Sequence, residues 1–276
     1  MLEGLAALAQ ALVYLAAVLA AGGVFARATL RPGHAAAQIL DLATRRGAIA
    51  TIGATVAALV VLILRLGGGF DPSIVGTVLA SNVGGAAAVR LAGACLLLVV
   101  PRDEEDGFNR GMLLSAAALV AGSFAFSGHA AVEGLWSGIV AAIHVAIVAW
   151  WVASLLALRR ACAIGEEPQA LVRRFSTLAL RMVGALVAAG VLLILALIDF
   201  AEGFTPYARN LALKLAIVAI VLGVAAYNRF VLTKGIEAGD RAAVANLARS
   251  IDIELGLIGA ILLMTAIMTT YTSPHE

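Results

Sequence analysis

Long apolar runs separated by short polar connectors set the pattern of this chain. Eight of them, at residues 4–26, 47–66, 84–100, 111–126, 135–158, 175–198, 208–232 and 253–270, approach the roughly 20 apolar residues needed to cross about 30 Å of hydrocarbon. Pro101 and the charged run Arg102 to Asp106 end the third firmly, and Asp199 and Glu202 stop the sixth. Between the second and third lies a turn-rich stretch, Gly67, Gly68, Gly69, Asp71 and Pro72, followed by a short interfacial helix predicted over Ile74 to Leu79. No ten-residue alternating pattern recurs, which argues against a membrane barrel. The predicted fold is all-α, a polytopic membrane helix bundle of eight transmembrane helices in one integral domain over residues 1–276.

Composition sharpens that picture. Hydrophobic residues make up 62% of the 276 positions and charged residues 13%, too apolar for a water-soluble domain of this size. Leu5 to Ala21 is preceded by Glu3 and by no Lys or Arg, so this segment is expected to be a retained first span, not a secretory signal. Cys95 and Cys162 give no disulfide framework. Net charge is only +2, which implies no nucleic-acid partner. Placement of the basic residues says more. The connectors after spans one, three, five and seven hold most of them, so those connectors are expected in the cytoplasm and both termini on the outer side.

Two halves of four spans would share one orientation. In the register that aligns Glu3-Gly4-Leu5 with Glu133-Gly134-Leu135, Tyr14 falls on His144. Arg45-Arg46 then matches Arg173-Arg174, and Arg90 has Lys214 as its counterpart. A parallel repeat of halves 1–130 and 131–276 would place a site at their interface.

Ionisable side chains within spans are the first candidates for chemistry, because they are costly there. Arg90 and Lys214 each lie about 12 Å from the outer end of a helix at 1.5 Å per residue. They either snorkel outward or pair with Asp199, Glu202 or Glu133, or else they gate an outer vestibule. His144, about 12 Å below Leu135, is the sharper candidate, since imidazole is a common metal ligand. A helix-to-helix hydrogen bond is its plainer role. His129 lies in the adjacent outer loop, and Met264, Met268 and His275 form a stripe toward the same side. Thioether and imidazole donors suit Cu(I), and no carboxylate cluster suggests calcium or magnesium. Trp136 suits the outer interface, whereas Trp150 and Trp151 are expected to pack between helices. His34, among arginines, is expected to be solvated. No Walker motif, dinucleotide fingerprint or nucleophile elbow occurs, so no enzyme activity is expected.

Several stretches in order resemble the copper resistance protein D (CopD) family of bacterial inner-membrane proteins. They are SGHA at 127–130, His144 with the Trp-rich segment after it, RRFSTLAL at 173–180 and TPY at 205–207. LKLAIVAIVLGVAAYNRF at 213–230 and ARSIDIELGLIGAILL at 248–263 complete the set. The first half resembles the family by helix layout and the position of Arg90. The resemblance implies a multi-pass inner-membrane protein with periplasmic termini that moves copper from the periplasm toward the cytoplasm. It also implies a small CopC-like periplasmic copper-binding partner, and this sequence carries no such domain. Tyr14 stands where a histidine would complete a symmetric pair with His144. The ligand set expected from the residues is His129, His144, Met264, Met268 and His275, with Arg90, Lys214, Asp199 and Glu133 as intramembrane or gating charges. Two other readings stay open: a haem b redox protein, which needs histidines facing one another across helices, and a membrane accessory subunit that transports nothing.

Overall fold

A computed structural model describes residues 2–67, 69, 71–102, 106–127, 134–164, 168–197 and 205–271. Eight helices in it are long and apolar enough to cross a membrane. They are α1 (Leu2–Leu30), α2 (His34–Gly67), α4 (Asn82–Val99), α5 (Gly107–Gly122), α6 (Leu135–Ile164), α7 (Pro168–Leu197), α8 (Pro206–Tyr227) and α10 (Arg241–Tyr271). A 3₁₀ turn, Ser123–Phe126, extends α5. A π turn, Asn228–Leu232, continues α8 into the short α9 (Thr233–Glu237). Among the described residues there is no strand. The interfacial helix expected at 74–79 is α3, Pro72–Ala80. Asp71 caps it, its carboxylate accepting from the Ser73 amide, with Pro72 in the first turn where no amide donor is needed.

The helices run longer than the apolar segments that announced them. α2 starts at His34 and α10 at Arg241, so His34, Arg45, Arg46 and Arg249 lie on helix where a connector was expected. Arg159 and Arg160 likewise belong to α6, and Arg173 and Arg174 to α7. A hydropathy boundary marks where hydrocarbon ends, whereas a helix ends where its backbone hydrogen bonds do, and nothing forces the two to coincide.

α1 is the central helix, packed against α2, α5, α6 and α10. Its buried face is built from Ala16, Ala17, Ala20, Ala21, Gly22, Gly23 and Ala26. Lipid tails are as apolar as leucine, so small residues that let backbones approach are what bring membrane helices together. At Gly22 a Cβ would collide with the carbonyl of Ala149 on α6, and at Gly47 with the backbone of Ala20. Two apolar clusters stack along this axis. One joins α1, α2, α4, α5 and α6 through Val13, Ala17, Leu97, Val120 and Phe124. The other joins α1, α2, α6, α7 and α10 through Leu30, Leu40, Trp150, Trp151, Leu158 and Ile251. Both chain ends reach the same face. Gly4 of α1 lies against Tyr271 of α10, and the Tyr14 hydroxyl meets Thr269 Oγ1 at 3.3 Å. We call this the terminal face and the opposite one the basic face.

Candidate functional site

Two polar groupings lie at similar depth below the terminal face, one in each half of the chain. In the first, Arg90 of α4 is 6% exposed. Its Nε donates to Ser123 Oγ at 3.0 Å, and its guanidinium carbon lies 4.6 Å from the centroid of the Phe124 ring. Ser123 passes the bond on to the Val120 carbonyl at 2.7 Å. Tyr14 packs against Phe124, with ring centroids 5.7 Å apart. Because the Thr269 hydroxyl donates to its own helix at Thr265, Tyr14 is left to donate to Thr269. Arg90 therefore does not snorkel. A cation facing an aromatic ring away from water is worth about 2 kcal/mol.

The second grouping is looser. His144 on α6, Lys214 on α8 and Met264 on α10 lie roughly 10–14 Å from the terminal ends of their helices at 1.5 Å per residue. Lys214 is near enough to His144 to act on it electrostatically. His144 Nδ1 is buried and has no hydrogen-bond partner, so the helix-to-helix bond that would explain a membrane histidine is missing at that nitrogen. Met264 is half-buried, and Met268 one turn nearer the terminal face is buried. His129, Glu133, Asp199, Glu202 and His275 lie outside the described residues. Among the described residues no three His, Cys, Asp or Glu side chains come together as a metal site.

Trp136 is exposed near the terminal end of α6, as an interface residue should be, while Trp150 and Trp151 are buried. Trp150 stacks on Phe175 of α7 and donates to Thr29 Oγ1 of α1 at 2.8 Å. His34 is exposed and bonds only to Gln38, one helical turn away.

A third grouping was not anticipated. Glu254 of α10 is 1% exposed. Its Oε1 accepts from Trp151 Nε1 at 2.7 Å and its Oε2 from Asn228 Nδ2 at 3.1 Å. These three residues share a cavity of about 200 Å³ with Arg229, Phe175 and Thr233. Sequence reasoning began the last span at Ile253, which left Glu254 on its polar edge. Helix α10 begins at Arg241, so Glu254 sits in mid-helix, buried against α6 and the π turn. The available signal was the continuation of helical pattern upstream through Ala248 and Ile251.

Arginines from several helices converge on the basic face. Arg27 forms an ion pair with Asp41, and Arg102 approaches the same carboxylate at 3.8 Å. Arg174 donates to the Leu30 and Arg31 carbonyls, both at 3.1 Å, which caps the end of α1. Burial pulls the Arg102 guanidinium below its ordinary value; Asp41 opposes that shift, while Arg45 and Arg27 add to it.

The fold thus defines a helical membrane protein with eight spans and three polar groupings in its interior. The family profile described as "Copper resistance protein D-like, N-terminal domain" matches residues 1–139, and that described as "Copper resistance protein D" matches residues 169–268. The chain belongs to the copper resistance protein D family, a role related to copper resistance in a membrane setting. The first half is covered as well as the second, beyond the helix layout from which its likeness was read. Arg90, Lys214, Glu254, Met264 and Met268 fall inside the matched stretches, whereas His144 falls between them. No curated protein matches the chain, and no solved structure does.

Proposed function

We propose that the chain is a copper permease of the bacterial inner membrane that takes the ion from the periplasm toward the cytoplasm. The observation that carries this reading is the unpartnered, buried Nδ1 of His144, at the depth of Met264 and below Met268. An imidazole nitrogen without a donor or acceptor, at the depth of a thioether on another helix, offers soft donors of the kind Cu(I) prefers. His129 and His275 would collect the ion at the mouth, from solution or from a CopC-like donor. The arginines gathered on the basic face support a cytoplasmic placement of that face, with both termini periplasmic. In this reading Lys214 is the gate. Its ammonium repels a cation at His144, so ions do not accumulate there, and transit requires that repulsion to be screened or moved aside.

Metal analysis of the purified full-length protein, paired with copper uptake by cells, tests the proposal. Copper should bind stoichiometrically, and His144→Ala should lose at least tenfold in affinity together with most uptake. Unchanged uptake in that variant would end the reading. A Soret band in the visible spectrum would favour haem b instead.

A further inference from the structure

The inner half of the bundle carries a second site, separate from His144. Glu254 lies about 25 Å from the terminal end of α10 at helical rise, on the side of the bundle toward the basic face. A carboxylate in hydrocarbon is costly unless charge and hydrogen bonds are both matched. Here only the hydrogen bonds are. Trp151 and Asn228, both uncharged donors, occupy one oxygen each.

Every described cation around it is engaged elsewhere or forms no ion pair with it. Arg229, on the π turn and on the wall of the same cavity, donates to Ser176 of α7. Arg159 of α6 pairs with Asp252 at 2.8 Å, and Arg27 of α1 pairs with Asp41. Arg249 lies on α10 itself and makes no ion pair with Glu254 among the described residues. α7 lines the cavity with Ser176, Phe175 and aliphatic side chains, none of which titrates.

A second observation points to a ligand. Asn228 is 9% exposed, and its Oδ1 is buried with no partner. It opens the π turn, where the helical hydrogen-bond ladder is interrupted, and its carbonyl accepts from Thr233 Oγ1 at 2.9 Å. A carboxylate and an orphaned amide oxygen, both acceptors, therefore belong to two hydrogen-bonded residues that line a cavity of about 200 Å³. Oxygen donors alone do not suit Cu(I). A divalent ion would leave one positive charge unmatched beside this single buried carboxylate, whereas a single positive charge is balanced by it.

We propose that Glu254 and Asn228 form a binding site for a single positive charge, carried as a proton or as an alkali-metal ion. The site does not depend on copper binding at His144. It gives the inner half of the bundle a charge that can be neutralised and released independently of the outer ligands.

Trp151 reports on it directly, because its indole N–H is bonded to the carboxylate. Tryptophan emission of the purified full chain in detergent would be followed against pH with choline as the only added cation. A second titration would add sodium or potassium chloride at fixed pH. Wild type should give a step in one arm, and the arm identifies a proton or an alkali ion. Glu254→Gln and Trp151→Phe should both abolish it. A flat response in both arms, or the same step in Glu254→Gln, would overturn the proposal. If Glu254→Gln does not fold, Asn228→Ala keeps the carboxyl, and its midpoint should move at least threefold in cation concentration; an unmoved midpoint also counts against the site. The step should persist in His144→Ala, so loss of the copper reading and loss of this one give different results.

Discussion

Arg90 and Lys214 sit at similar depth in the two halves of the chain, and their surroundings differ in kind. Arg90 is fixed by Ser123, by the Phe124 face and, through that ring, by Tyr14. Lys214 lies beside an imidazole that has a buried nitrogen to spare. A guanidinium is planar and stacks, so it can be locked against an aromatic ring, whereas an ammonium is a point charge on a flexible stem. Packing divides along a different line. In α1 44% and in α6 50% of the most apolar window is buried inside the protein, against 11% in both α7 and α8, so one helix from each half forms the centre and those two lie at the periphery. Buried polar atoms without a partner occur in both halves, Thr51 and Thr55 Oγ1 on α2 and His144 Nδ1 and Asn228 Oδ1 in the second half, and the latter two lie near ionisable side chains, Lys214 and Glu254.

The sharpest way to break that division is to add one side chain at the centre and one at the periphery. Gly22→Val would drive its Cβ into the Ala149 backbone of α6, and backbone cannot give way as a side-chain end can. Overpacking of this kind costs about 3 kcal/mol or more, and little monodisperse protein should survive mild heating in detergent. Gly223→Val, on α8, meets open space and should change stability by no more than about 0.5 kcal/mol. Equal losses in the two variants would show that the α1–α6 contact and the outer side of α8 are packed alike.

A smaller effect separates the two cations by function. Lys214→Leu removes a positive charge from near His144 without adding a thioether, and a unit charge in partly buried surroundings is worth about 1–2 kcal/mol. Copper should then bind roughly tenfold more tightly in equilibrium titrations, while uptake slows because release becomes harder. Arg90→Leu should leave copper affinity within about twofold, since its contacts lie with Ser123 and Phe124. If Arg90→Leu tightened binding as much as Lys214→Leu, the ion would not sit on the His144 side.

How much of this was legible before the structure depends on what each feature rests on. Spans, their number and the interfacial helix follow from hydropathy and turn residues, and both are local. Burial of Trp150 and Trp151 and exposure of Trp136 were readable from depth along one helix. Arg90 could be recognised as intramembrane, but its partners Ser123 and Phe124 lie far along the chain on a different helix, and no spacing rule reaches them. Glu254 escaped for a related reason. Its significance needs Trp151 and Asn228, which come from two other helices, and it needs the true start of α10. Asn228 and Arg229 stand near the end of the seventh apolar run, yet the π turn that interrupts the ladder there leaves no composition signal. His144 was legible as a residue; its unpartnered nitrogen was not.

The mildest test concerns the connector between the second and third spans, where the first half adds the non-spanning helix α3. Asp71 begins that helix, and its carboxylate accepts from both the Ser73 amide at 2.8 Å and the Ser73 hydroxyl at 2.7 Å. These bonds favour the charged form and hold the Asp71 carboxyl below its ordinary value, the hydroxyl being the larger cause. A carboxyl depressed in the folded state contributes stability that is complete above its unfolded value and is lost as pH falls through the folded one. Protection factors of the amides at 73–80, taken against the intrinsic exchange rate at each pH, should therefore fall only on acidification through and below the ordinary carboxylate range. Asp71→Asn still caps a helix but cannot titrate, so its protection should lose that pH dependence while staying high at neutral pH. Because the residue is fully exposed, the change should stay within α3 and leave the thermal stability of the bundle where it was. An acid-dependent loss of the whole bundle that vanished in Asp71→Asn would instead make α3 a structural part of the first half.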